Sequence, residues 1–243
     1  MTAEQAMISP PAEDAGEGFD RRWESAVYGA GRHLNLYPHS AVVSFVLRRY
    51  AALPQRAEVR ILEVGCGAGN NVWFLAREGF SAAGIDGSRT AIGFARDRCA
   101  RDGLSAELVT GDFQSLPWGG ESFDCVIDRG SITHNRRAVI ARTLDEVRRV
   151  LKPGGGFLSM IYGTGHPARR FGTPLGDGAF SDFSDGYFAD IALTFFARDA
   201  DIDELYGSRF TIESKELEVI EDHRQGGGCV KAMWHLGCRK PLQ

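Results

Sequence analysis

Paired cysteines are missing from this chain. Its five, Cys66, Cys99, Cys125, Cys229 and Cys238, form no CxxC unit and no zinc-ligand spacing. No disulfide framework and no metal centre are therefore expected, and an odd set of scattered thiols reads as reduced cysteine in a cytoplasmic protein. Long apolar runs are scarce too. The densest early one, Ala41 to Leu47, falls far short of the roughly 20 residues that span a bilayer, so no membrane partner is expected. The start, Met1-Thr2-Ala3-Glu4-Gln5, has neither a basic region nor an apolar core, and no signal peptide is expected. Positive charge is not in surplus: 28 Lys and Arg against 32 Asp and Glu give a net charge of −4. That balance argues against an extended phosphate-binding face and hence against a nucleic-acid partner. No internal repeat and no marker of oligomeric state is visible.

With 243 residues, 43% of them hydrophobic, the chain has enough apolar surface for a full core. Residues 1–18 are acidic, carry Pro10-Pro11 and read as a flexible tail. Residues 19–54 read as an N-terminal helical cap: a short helix over Phe19–Tyr28, the turn Gly29-Ala30-Gly31, then Ala41–Leu53 with Val42, Val43, Val46, Leu47 and Tyr50 at helical spacing. Ser40 is the expected N-cap of that second helix. From residue 55 onward the pattern alternates. Strands are expected at 59–64, 81–86, 105–110, 123–128 and 155–162, and helices at 70–78, 89–101 and 136–151. Such alternation implies right-handed crossovers and a mostly parallel sheet with helices on both faces. Pro153-Gly154-Gly155-Gly156 reads as the turn that ends the last of these helices.

Residues 163–200 lose periodicity and gather glycine, proline and aromatics, the texture of a functional insertion. A short helix capped by Asp199 or Asp201 and carrying Leu205 and Tyr206 is expected next. Phe210–Ile220 and Cys229–Cys238, joined through Gln225-Gly226-Gly227-Gly228, should pair antiparallel.

One stretch carries chemistry. Ile61-Leu62-Glu63-Val64 runs into Gly65-Cys66-Gly67-Ala68-Gly69-Asn70, and the next apolar run, Ala82–Ile85, ends in Asp86 followed by Gly87. A glycine turn at a strand end lets a ligand approach the backbone with no Cβ in the way. A carboxylate ending the next strand can accept both hydroxyls of a ribose. An adenosine-containing ligand at the carboxyl edge of the sheet follows. The dinucleotide fingerprint G-x-G-x-x-G would need glycine where Asn70 stands, so a nicotinamide-dependent oxidoreductase is the weaker reading.

Ile61–Gly69, Gly84-Ile85-Asp86, Gly111-Asp112-Phe113 with Leu116-Pro117, and Val150–Gly155 together resemble the class I S-adenosylmethionine-dependent methyltransferases of the small-molecule type. The resemblance covers about residues 55–165. It implies a Rossmann-like α/β fold of seven strands, mostly parallel, with an antiparallel last strand. It implies S-adenosyl-L-methionine as cofactor, S-adenosyl-L-homocysteine as product and a small-molecule acceptor. By position, Gly65, Cys66, Gly67 and Gly69 would wrap the methionine end with Glu63 near its amino group. Asp86, with Gly87 beside it, would take the ribose. Asp112 would accept from the adenine amine, and the Phe113 backbone would meet the ring edge. Asp128 and Arg129 would border the methionine moiety through backbone atoms. Trp23, Tyr28 and His33 would cover the cofactor.

His134, a few residues beyond the fourth expected strand, is the candidate catalytic base, because histidine can take a proton near neutral pH. A histidine there can equally be structural or help cap the helix beginning near Asn135. Phe180, Phe183, Tyr187, Phe188, Phe195 and Phe196 read either as a substrate cover or as satellite core. Arg136, Arg137, Arg142, Arg148 and Arg149 read as the wet side of an amphipathic helix. Three other functions stay open: a cofactor-binding protein without turnover, a methyltransferase acting on RNA or protein, and the oxidoreductase.

Overall fold

Ile61, Leu62 and Val64 are fully buried, as a strand covered on both faces requires. The computed structural model describes residues 20–32, 34–186, 188–189, 191–224 and 228–242. The expectations for residues 1–18, Phe19, His33, Tyr187 and the turn at 225–227 lie outside those residues.

Seven strands form one sheet: β1 (Arg60–Val64), β2 (Ser81–Asp86), β3 (Glu107–Thr110), β4 (Phe123–Arg129), β5 (Leu151–Tyr162), β9 (Thr211–Glu221) and β10 (Cys229–Arg239). Their order is β3-β2-β1-β4-β5-β10-β9, and β10 runs antiparallel to both of its neighbours. This is the Rossmann-like sheet with its reversed last strand. Crossovers are made by α2 (Asn70–Arg77), α3 (Arg89–Arg101) and α4 (Arg137–Val150), with α1 (Ser40–Tyr50) before the sheet and α5 (Asp199–Gly207) before β9.

Alternation along β1 sorts the core into two layers. Ile61 packs with Val42 and Phe45 of α1, Val72 of α2 and Ile92 of α3. Leu62 and Val64 face Ile140, Leu144 and Val147 of α4 and Tyr206 of α5. Each such buried side chain is worth about 1.5–3 kcal/mol, enough for α4 to anchor on three of them. Arg136, Arg142, Arg148 and Arg149 lie exposed around it, while Arg137 is half-buried against Asp201 and Glu204.

Two local expectations fail. Ser40 is the first helical residue, not the cap. His39 precedes α1, and its N–H donates to Asn71 Oδ1 at 2.8 Å. Strand β5 begins at Leu151 rather than 155. Leu151 pairs with Phe123, the register slips, and Gly156 pairs with Cys125. The Pro153-Gly154 segment is held as strand because Gly154 N donates to Lys240 O and Lys240 N to Gly155 O. Asp201, at the third position of α5, accepts from the Arg198 N–H at 2.8 Å and caps that helix from within.

The segment between β5 and α5 holds a three-stranded antiparallel sheet, β6 (Thr173–Pro174), β7 (Ala179–Ser181) and β8 (Leu193–Phe195). Before α1, Trp23–Tyr28 is a wide-turned helix in which Gly29 N reaches Glu24 O, five residues back, at 2.8 Å. In the sheet, Val64 is level with both Ile85 and Asp128. The loops leaving β1, β2 and β4 therefore open at one edge.

Candidate active site

At that edge lies a cavity of about 470 Å³, within the range of small-molecule and cofactor sites. Its floor is the loop after β1. Gly65 has φ +64°, and a Cβ there would overlap Ser131, whose Oγ donates to Gly65 O at 2.9 Å. Gly67 presents its N–H to Asp86 Oδ2 at 2.8 Å, while Asp86 Oδ1 accepts from Ser88 N at 2.9 Å. Burial raises the Asp86 carboxyl to about 6 despite these two donors. Cys66 sits under the loop against Gly84, and burial raises its thiol well above the ordinary value, which leaves it inert.

Glu63 is 2% exposed. Its Oε1 accepts from Asn71 Nδ2 at 2.6 Å, and its Oε2 is buried with no partner. Burial pushes this carboxyl up to about 8. A buried acceptor left without a donor is costly unless a ligand supplies one. A ligand ammonium meets that requirement, and the Asp86 lone pairs not used by Gly67 and Ser88 suit ribose hydroxyls. The residues present therefore fit the methionine and ribose ends of S-adenosylmethionine.

Glu63, Gly65, Cys66, Gly67, Asp86, Gly87, Phe113, Arg129, Tyr28 and His134 all line the cavity, together with Trp23, His39 and Tyr162. Three other expected residues do not. Gly69 begins α2 with φ +73°, and a Cβ there would lie 2.6 Å from Ala95 Cβ, so this glycine serves the packing of α2 on α3. Asp112 turns both oxygens to Gln114, accepting from N at 2.8 Å and Nε2 at 3.0 Å. Asp128 is fully buried and organises the loop after β4, accepting from Ser131 N at 2.8 Å, Ile132 N at 3.1 Å and Ser159 Oγ at 2.8 Å.

His134 stands in that loop, packed against Trp23, Tyr162 and Phe188 with ring centroids 5.2–5.9 Å away. Its Nδ1 faces Leu193 O at 3.2 Å and Thr194 Oγ1 at 3.0 Å. A carbonyl only accepts, so the proton of the neutral ring belongs on Nδ1 and the lone pair on Nε2. Of the insertion's aromatics, Phe183, Phe188 and Phe196 form a separate buried cluster with Met160, Tyr162 and Met233, and Phe195 joins the main core. They back the cavity wall instead of lining it. His166 stacks on Phe188 at 5.0 Å and accepts from Ala168 N at 3.2 Å, a structural histidine whose burial lowers it to about 4.

Several contributors were not read from the sequence. Glu24 grips the start of α3 through the Ser88 and Thr90 hydroxyls. Arg98, nearly buried, donates to Asn35 O at 2.5 Å and holds the cavity rim. Asn71 links Glu63 to His39; its place directly after the glycine loop was the one available signal. Among the described residues, no cluster of three or more potential metal ligands occurs, and no helix is long and apolar enough to cross a membrane.

Residues 61–155 match the family model described as "Methyltransferase domain". The chain is 39% identical over 120 residues to a fatty-acid O-methyltransferase of Mycolicibacterium smegmatis, covering 47% of this chain and 42% of that one. It is 34% identical over 143 residues to a phthiotriol/phenolphthiotriol dimycocerosates methyltransferase of Mycobacterium leprae, covering 58% and 46%. The chain thus spans about half the length of the curated relatives it matches. Among solved structures, the Burkholderia thailandensis 1,6-didemethyltoxoflavin-N1-methyltransferase with bound S-adenosylhomocysteine superposes with a TM-score of 0.66 at 17% identity, covering 96% and 93%. A SAM-dependent methyltransferase from Methanosarcina mazei gives 0.66 at 22% identity, covering 86% and 100%. These two share the fold.

Proposed function

This chain carries the class I S-adenosylmethionine-dependent methyltransferase domain, and from that premise we propose that it transfers the methyl group to a small-molecule acceptor. The observation that carries the reading is Glu63 Oε2, buried and partnerless on a cavity that the Asp86 carboxylate also lines. Two acids at adjacent strand ends suit a ligand with an ammonium at one end and a ribose at the other. Relatives named for fatty acids, for phthiotriol lipids and for a toxoflavin precursor agree with an acceptor that is neither nucleic acid nor protein.

When bound, S-adenosylmethionine supplies a methyl on a positively charged sulfur, already a strong electrophile. The chain's task is alignment and exclusion of water. Alignment is worth up to about 7–11 kcal/mol when the reacting atoms are well oriented. Glu63, Asp86 and the Gly65–Gly67 backbone hold one reactant. Trp23 and His39 of the N-terminal segment, with Tyr162 and Ile191, wall the space for the other. His134 Nε2 takes the proton of an acceptor whose reacting atom carries one. Phe113 would meet the adenine from the cavity wall, and Asp112, which accepts from Gln114, would hold the turn that carries it.

Calorimetry with S-adenosylhomocysteine, followed by incubation of the protein with methyl-labelled cofactor and cell extract, tests this. Label in small metabolites that survives nuclease and protease treatment is expected. Tight binding without transfer would leave a cofactor-binding protein instead. Response to a nicotinamide in place of the homocysteine nucleoside would overturn the reading.

A further inference from the structure

The acids on the cavity wall are engaged, whereas its guanidinium is not. Asp20 accepts from Arg22 N and Ala192 N, Asp86 from Gly67 N and Ser88 N, and Glu63 from Asn71 through one oxygen. Arg129 is half-buried at the end of β4, and its guanidinium makes no hydrogen bond or ion pair among the described residues. On the same wall, His39 Nδ1 is buried without a partner.

The side of the site on which this positive charge falls is informative. His39 is held down to about 4 first by burial and then by Arg129, Lys231 and His235, with Glu218 opposing. Lys231 is neutralised by Glu218, whose Oε2 also lies 3.4 Å from His235 Nε2. Arg129 remains as the cation of this wall with no ion pair among the described residues, its charge felt by the buried Glu63 and Asp128 carboxyls. Arg129 is on β4 and its basic neighbours are on β10, two strands further along the sheet. The glycine loop leaves β1, the neighbour of β4 on its other flank, and Asp86 ends β2, one strand beyond. The same cavity has an apolar wall of Tyr162 and Ile191, backed by Met160 and Met233.

Resting on the methyltransferase reading, we propose that the acceptor is an organic carboxylate with an apolar body, its anionic group seated at Arg129 and His39 and its body against Tyr162 and Ile191. A single guanidinium matches a monoanion, which it can hold through two parallel N–H bonds. A phosphate dianion would leave one charge unmatched in a half-buried site.

The test is calorimetry on protein saturated with S-adenosylhomocysteine, titrated with decanoate, 3-phenylpropanoate and indole-3-acetate and with the primary amide of each. At least one acid is expected to bind ten times or more tightly than its amide. Arg129→Met should erase that preference while the Kd for S-adenosylhomocysteine stays within threefold, and Arg129→Lys should keep part of it. Parity of every acid with its amide, or no binding by any acid, overturns the proposal on the unmutated protein alone. So does an Arg129→Met protein that loses tenfold in nucleoside affinity yet keeps the acid preference. Absence of nucleoside binding would instead remove the reading beneath it, and the acceptor proposal with it.

Discussion

Asp86 accepts the Gly67 N–H at 2.8 Å, so the carboxylate placed to grip a sugar also ties down the loop beneath it. Replacement by Asn puts an amide donor where one of two backbone donors now points. Hydrogen bonds to a charged group are worth about 1.5–3 kcal/mol each, and about 1.4 kcal/mol is tenfold in affinity. Asp86→Asn should therefore weaken S-adenosylhomocysteine binding at least tenfold and lower the melting temperature, and Asp86→Ala should do more of both. Unchanged affinity in calorimetry would remove Asp86 from the cofactor site.

Glu63 couples binding to protons. Its carboxyl stands at about 8 in the ligand-free protein against an ordinary 4.5, chiefly through burial. At pH 7 it is mostly protonated, and an ammonium beside Oε2 favours the ionised form, so binding should release up to one proton. Calorimetry at pH 7 in buffers of different ionisation enthalpy reads this directly. The release should vanish in Glu63→Gln. A raised folded-state value also means that Glu63 contributes stability below about 4.5 and loses it as pH rises toward 8. Thermal melts of ligand-free protein should fall across that window, and those of Glu63→Gln should fall less.

Glu24 fastens the helix that carries Trp23 and Tyr28 to the first turn of α3, through the Ser88 and Thr90 hydroxyls. A carboxylate at a helix N-terminus also gains from the macrodipole. Glu24→Ala should release that helix, raising the KM for S-adenosylmethionine several-fold and opening residues 20–35 to limited proteolysis, with little change in the melting of the sheet. Protection equal to wild type would show that the helix is held by its aromatic packing alone.

The parallel half of the fold was legible because its strands are buried on both faces and read as short apolar runs, as Ile61–Val64 and Ala82–Ile85 do. Strand β5 was misread at Pro153-Gly154 since its partner there, Lys240, lies nearly ninety residues away and no local pattern signals it. Strands of two or three residues, such as β6 and β7, are too short for any period to show. In the site, Gly67 and Asp86 were read from one strand-turn-strand unit, and Glu63 from the family resemblance that unit carries. Glu24, Ser131 and Arg98 act across more than sixty residues of sequence, so only the fold brings them to their partners. Asp128 was expected to meet the cofactor through its backbone, and the work of its side chain, holding the loop after β4, depends on Ser159 of the next strand.

His134 can be separated from its scaffold role by two substitutions. His134→Asn retains a donor near Nδ1 for Leu193 O and Thr194 Oγ1 but removes the Nε2 lone pair. His134→Ala removes both and also the ring contacts to Trp23, Tyr162 and Phe188. With an acceptor whose reacting atom carries a proton, a catalytic base is worth about 10²–10⁴ in rate. Both variants should then lose kcat on that scale, while S-adenosylhomocysteine affinity stays near wild type in His134→Asn. A scaffold role predicts otherwise: His134→Asn near wild type in kcat, and His134→Ala with a lower melting temperature and a higher KM for the acceptor. The pH profile decides between them, because only loss of a base removes the acid limb of kcat in the Asn variant without moving its melting temperature.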